Sequence, residues 1–143
     1  MWKKLLSVLL LTSLLAACGS DDKAKLGGFR EDITTAIGVN GYLWRASLDA
    51  VSQLPIISAE PGSGAILTDW FVDPDVPSER LKVAVFILDR GLRADALKVS
   101  VIRQELKNGV WITAPVRAGT ELEIEDTILA RARELRIQSV RDS

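Results

Sequence analysis

Residues 81–90, Leu-Lys-Val-Ala-Val-Phe-Ile-Leu-Asp-Arg, constrain the fold more than any other stretch. On an extended chain Leu81, Val83, Val85 and Ile87 fall on one side, and Lys82, Ala84, Phe86 and Leu88 on the other. A strand this apolar on both sides is expected at the centre of a sheet. Its neighbours in sequence fit that position. Leu97 to Glu105 predicts the next strand, with Leu97, Val99 and Val101 facing the core. Asn108-Gly109 is a hairpin signal, and Val110-Trp111-Ile112 reads as a short returning strand ended by Pro115. Upstream, Ile56 to Glu60 and Ala65 to Val72 flank the turn Pro61-Gly62-Ser63-Gly64. The second of these strands is expected to carry Ile66, Thr68, Trp70 and Val72 on one side. A proline-punctuated loop, Asp73 to Ser78, then leads to the central strand.

Two helical patterns bracket the strands. Asn40 is a suitable N-cap for a helix from Gly41 to Leu54, in which Trp44, Leu48 and Val51 recur at i, i+4 and i+7. Pro55 stops it, because a residue before proline disfavours helical geometry. At the other end Thr120 and Glu123 fit a Thr-x-x-Glu capping box. Glu121, Glu123, Glu125 and Asp126 suit the positive end of the helix dipole, and Arg131, Arg133 and Arg136 the negative end. Ile124, Ile128, Ala132 and Leu135 form the buried stripe, broadened by Leu129. Strands joined by short turns are antiparallel. The expected fold is therefore α+β: a two-layer sandwich, with an antiparallel sheet of four to five strands covered on one face by two helices. It occupies residues 39–137 as one domain, with residues 138–143 as a C-terminal tail.

Ahead of the domain the chain reads as an address. Met1-Trp2-Lys3-Lys4 is positively charged, and Leu5 to Leu15 is apolar except for Ser7, Thr12 and Ser13. That run is shorter than the ~20 residues a membrane span needs and has signal-peptide proportions. Leu15-Ala16-Ala17-Cys18 resembles a bacterial lipobox. The resemblance implies a signal peptide over residues 1–17, with Leu15, Ala16 and Ala17 read by the signal peptidase. It also implies a diacylglycerol thioether on Cys18 and acylation of the new amino terminus. Gly19, at the sorting position, implies the periplasmic face of the outer membrane, since enteric-type bacteria retain lipoproteins with Asp there. Residues 18–38, which include Gly27-Gly28 and few large apolar groups, read as a flexible tether. The alternative for this segment is that Phe29, Ile33 and Ile37 dock on a partner or on the domain.

Composition narrows the chemistry. The chain has no His, and Cys18 is its one Cys. An intrachain disulfide, a Cys/His zinc site and any His-dependent dyad or triad are thereby excluded. Removing residues 1–17 takes Lys3 and Lys4 with it and leaves 16 basic against 19 acidic residues, a net of −3. Nucleic acid as a partner requires a concentrated basic face, which this balance does not suggest. The same sum argues against simple electrostatic docking on an anionic membrane.

The remaining candidates for chemistry are carboxylates. Asp69, Asp73 and Asp75, with Glu79 close behind, lack the spacing of a calcium loop and read as solvated turn residues. Asp89-Arg90 and Arg93-Asp95 around Gly91 read as a salt-bridged turn. Pro61-Gly62-Ser63-Gly64 lacks the Lys-Ser/Thr ending of a phosphate loop. Ser47 and Ser52 have no His to act as base. A carboxylate hydrolase would need two of Asp69, Asp73, Asp75 and Asp89 to converge in a cleft. Tyr42, Trp44, Trp70 and Trp111 are read mainly as core; an exposed Trp would instead indicate a partner surface.

From Gly38 onward the chain resembles an uncharacterised family of alphaproteobacterial lipoproteins. The residues that carry the resemblance are Gly41-Tyr42-Leu43-Trp44-Arg45-Ala46-Ser47-Leu48-Asp49, Thr68-Asp69-Trp70, Glu79-Arg80, Ile87-Leu88-Asp89-Arg90, Leu92-Arg93-Ala94-Asp95 and Ala130 to Arg136. A helix followed by Thr68-Asp69-Trp70 and by Glu79-Arg80 leading into a strand is also similar to BamC-type lipoproteins of the outer-membrane barrel assembly machinery. The run Gly41-Tyr42-Leu43 is similar to a Tyr-Leu motif by which those proteins contact a partner subunit. This resemblance makes Tyr42, Leu43 and Trp44 candidate partner contacts. The expected function is a non-enzymatic interaction module in envelope or outer-membrane protein assembly, with no metal or cofactor, anchored to the membrane and bound to a protein partner. The alternative is a periplasmic binding protein that holds a lipid or other apolar ligand between helices and sheet.

Overall fold

A computed structural model describes residues 38–142. Helix α1, Gly41–Ala50, precedes strands β1, Ile56–Glu60; β2, Ala65–Thr68; β3, Phe71–Val72; β4, Glu79–Ile87; β5, Leu97–Lys107; and β6, Val110–Ala114. Helix α2, Thr120–Arg141, closes the order. The sheet is antiparallel, in the order β1-β2-β4-β5-β6, with β3 also paired to β4. The expected α+β architecture is what the chain adopts, and β4 is central.

Local rules account for most of this. The Asn40 side chain accepts hydrogen bonds from the N–H groups of Tyr42 and Leu43, at 3.1 and 3.0 Å, so it caps α1 as expected. The helix ends at Ala50, earlier than Leu54, and residues 51–54 continue as turns before Pro55. Between β1 and β2, Gly64 has φ +71, and an added Cβ would collide with the Ile87 carbonyl oxygen and the Val39 side chain. Only glycine lets this turn pass so close to β4.

The core forms where both helices lie on one face of the sheet. Leu43, Val51, Ile66, Val85, Val99 and Ile128 are buried together there. The inward residues of β4 and β5 are those the alternation predicted: Val83 faces Val101, Val85 faces Val99 and Ile87 faces Leu97.

Three expectations are corrected. Ala65 to Val72 is not one strand. The five residues from Leu67 to Phe71 stand opposite the four from Ala84 to Leu81, which is a bulge. The Thr68 hydroxyl stands in for backbone at that point, accepting from Val83 N–H at 2.9 Å and donating to Val83 C=O at 3.1 Å. The extra residue reverses the alternation, so Ile66 and Thr68 face the helices while Val72, opposite Arg80, faces away.

The capping box at Thr120 does not form. Gly119, at φ 87, is the N-cap and Thr120 is already helical; Glu123 is drawn instead to Arg117, at 2.6 Å. Finally, residues 138–141 are not tail but the last turn of α2, tied to α1 by the 2.8 Å hydrogen bond between Tyr42 Oη and Ser139 Oγ.

Candidate functional site

The two helices cover one face of the sheet and leave the other open. Pairing fixes which residues stand on the open face: Arg80 with Gln104, Lys82 with Ile102, Ala84 with Ser100, Phe86 with Lys98, and Leu106 with Trp111. Several are large, apolar and exposed, including Phe86, Ile102 and Leu106. Ile57, the extra residue in a second bulge on β1, joins them at 64 % exposure. Together with Leu67 and Ala84 it lines a shallow depression in this face.

At one end of the face Arg80 is held between two indoles. Its guanidinium carbon is 4.4 Å from the ring centroid of Trp70 and 4.4 Å from that of Trp111. Lys82 Nζ lies 4.9 Å from the Trp70 ring. Arg80 Nε and Nη2 both donate to Gln104 Oε1, at 2.9 and 2.7 Å. Cation–π attraction at a half-exposed site contributes about 0.5–1 kcal/mol per contact. The arrangement therefore holds a guanidinium and two aromatic faces rigid at modest energetic benefit. The bulge at Thr68–Phe71 makes it possible, because without the reversal Trp70 would point towards the helices.

Beneath Arg80, on the helix side, lies an ion-pair network. Glu79 and Glu105 face each other across β4 and β5, a repulsive pairing that Arg103 bridges with contacts of 2.6 and 2.9 Å. The hydrogen bond to Glu79 holds the Arg103 guanidinium above its ordinary pKa. The bond from Lys107 holds the Glu105 carboxyl below its own.

The residues singled out from sequence are dispersed. Leu43 and Trp44 are buried in the core, and Tyr42 is half-buried against α2. Much of their surface is engaged in packing within the domain. The indoles that are presented outward are Trp70 and Trp111. The carboxylates serve their own turns. Asp69 accepts from the Trp70 N–H at 2.7 Å and Asp73 from the Asp75 N–H at 2.9 Å. Asp89 accepts from the Gly91 N–H at 2.8 Å and from Arg93 at 2.9 Å. The length of β4 separates the Asp73 loop from Asp89, a span of roughly 30 Å. Among the described residues no three Asp, Glu, His or Cys side chains stand close enough to hold a metal ion. The space between helices and sheet, where an apolar ligand would be held, is occupied by the side chains of the core. Leu15, Ala16, Ala17, Cys18 and Gly19 lie outside the described residues, as does the segment carrying Phe29, Ile33 and Ile37.

Sequence reasoning did not bring Trp70, Arg80 and Trp111 together. Trp111 was within reach, since pairing through the Asn108-Gly109 hairpin places it opposite Leu106. Trp70 was not, because its facing depends on the bulge.

The model of a family described as "Domain of unknown function (DUF3576)" matches residues 37–137. An uncharacterised protein of Rickettsia prowazekii (strain Madrid E) is 34% identical over 117 residues, covering 80% of this chain and 70% of the relative. No solved structure matches. The match over residues 37–137 covers α1, every strand and α2 as far as Ile137, and the chain belongs to the uncharacterised alphaproteobacterial family defined by DUF3576.

Proposed function

We propose that this protein is an outer-membrane lipoprotein whose domain is a non-enzymatic interaction module in envelope assembly, with the open face of the sheet as its partner surface. The observation that carries the reading is Arg80 held rigid between Trp70 and Trp111 on a face that also exposes Phe86, Ile102 and Leu106. Trp and Arg are the residue types that dominate binding energy at protein interfaces, and fixing them in advance reduces the entropy lost on binding. Exposed apolar area of this kind on one face marks an interaction site.

The sequence supplies the address. Leu15-Ala16-Ala17-Cys18 supports a lipid anchor at Cys18, and Gly19 supports the outer membrane. The similarity of segment order to BamC-type lipoproteins supports a partner in outer-membrane protein assembly. Site-specific photo-crosslinking in intact cells tests the surface. A crosslinker at Ile102 should capture an envelope protein, one at Ala130 on the outer side of α2 should not, and Arg80→Ala should abolish the Ile102 adduct. Equal capture from both positions, or none from Ile102, would reject the open face as the site. Cys18→Ser should abolish metabolic labelling of the protein with a fatty-acid probe.

A further inference from the structure

The end of the domain at which the described chain begins also carries an arginine-rich groove. Leu92, Arg133, Arg136, Ile137, Val140 and Arg141 line it, and its volume is about 620 Å³. The five α2 residues recur at i, i+3, i+4, i+7 and i+8, so they share one helix face. Ile137 and Val140 are 54 % and 69 % exposed, although they are apolar.

The arginines are not neutralised by the domain. Glu134 is engaged by Arg131 at 2.7 Å, and Asp89 and Asp95 are engaged by Arg93 at 2.9 and 3.0 Å. Among the described residues no ion pair or hydrogen bond engages the guanidinium groups of Arg133, Arg136 or Arg141. The near balance of 18 basic and 19 acidic residues hides this segregation, because a sum over the chain does not show how charge is distributed at one end of the molecule.

The groove lies near the first described residues. Arg90 Nε donates to Gly38 C=O at 3.1 Å, and Asn40 Nδ2 donates to Arg90 C=O at 2.8 Å. Leu92 is two residues further on, and Tyr42 meets Ser139 between Ile137 and Val140. Gly38, the first described residue, is thus tied to the segment that leads into Leu92.

We infer that this groove rests on the bilayer, with Arg133, Arg136 and Arg141 on the phosphates of anionic phospholipids and Leu92, Ile137 and Val140 at the acyl boundary. Guanidinium matches phosphate geometry in a bidentate manner, and an apolar strip flanked by arginines is the composition of interfacial helices. The orientation rests on reading Cys18 as the anchor. It would direct the end with the groove toward the membrane and leave the open sheet face free at the side.

The test uses the chain from residue 19, which lacks the acylated Cys and contains the whole described core. It should sediment with vesicles of phosphatidylglycerol and phosphatidylethanolamine, and not with phosphatidylcholine alone. Binding should weaken as salt rises. Arg133→Glu with Arg136→Glu and Arg141→Glu should reduce partitioning by about a hundredfold, given ~1 kcal/mol for each basic residue near an anionic surface. Ile137→Ser with Val140→Ser, which exchanges exposed side chains only, should weaken it without changing the urea midpoint. No binding to the anionic vesicles, or binding indifferent to both sets of substitutions, would overturn the inference. Saturable binding of inorganic phosphate with no vesicle binding would assign the groove to a soluble anion and overturn it too. None of these outcomes depends on acylation of Cys18 or on capture at Ile102, so the two readings fail separately.

Discussion

Val99 donates its backbone N–H to the Glu125 carboxylate at 2.8 Å, so a helix side chain completes the hydrogen bonding of a strand. Val101 does the same with Glu121 at 2.9 Å. Strand β6 covers β5 only from Arg103 to Lys107, which leaves these two N–H groups without a strand partner. Residues two apart on a strand are about 6.6 Å apart, close to the about 6 Å rise between i and i+4 on a helix. One helix face can therefore serve alternate strand positions in register. The same contacts cover a strand edge that would otherwise invite pairing with another chain.

Replacing Glu125 tests this arrangement. Glu125 is 9 % exposed, and Glu125→Ala leaves the Val99 N–H without its acceptor. The expected loss is about 2 kcal/mol in urea unfolding at neutral pH. Glu125→Gln keeps an acceptor oxygen and should cost less than half of that.

Ser47 gives an opposite expectation. It is fully buried on α1, and its Oγ has no hydrogen-bond partner among the described residues. A buried hydroxyl left unpaired is destabilising, so Ser47→Ala should be neutral or should raise stability by about 1 kcal/mol. A clear loss in a denaturation series would show that the hydroxyl is satisfied in solution.

Asp89 contributes to acid sensitivity. The Gly91 N–H, and then Arg93, hold its carboxyl below the ordinary aspartate pKa. A folded-state value below the unfolded one contributes stability in full above about pH 4, and that contribution is lost as pH falls through the folded value. Asp89→Asn should therefore lower the urea midpoint at pH 7, and its difference from wild type should shrink on acidification below about pH 4. An unchanged difference across that range would remove the argument.

Arg80 separates stability from binding. Its two stacking contacts are half-exposed, so Arg80→Ala should cost about 1–2 kcal/mol, read as a small shift in the thermal midpoint. The same substitution should remove the adduct formed through Ile102. A large loss of stability would mean that Trp70 and Trp111 hold the sheet rather than present a surface.

Much of the molecule follows from short-range rules. The alternation from Leu81 to Ile87 makes β4 central, Asn40 starts α1, and Asn108-Gly109 turns β5 into β6, with Asn108 at φ 51 and Gly109 at φ 80. The stripe Ile124, Ile128, Ala132 and Leu135 packs into the core as its periodicity requires. Each of these depends on residues within a turn or two of each other. The features that shape the candidate surfaces do not. The bulge at Asp69-Trp70 arises because Thr68 binds Val83, fifteen residues away, and it alone turns Trp70 toward Arg80. Glu121 and Glu125 look like dipole residues until α2 lies along β5. Arg133, Arg136 and Arg141 look like ordinary helix-end charges until the fold brings Leu92 and the chain entry at Gly38 beside them. Sequence by itself determined most of the elements and their order. Tertiary structure decided which side chains face which neighbour, because a one-residue bulge or the docking of a helix is chosen by contacts far apart in the chain.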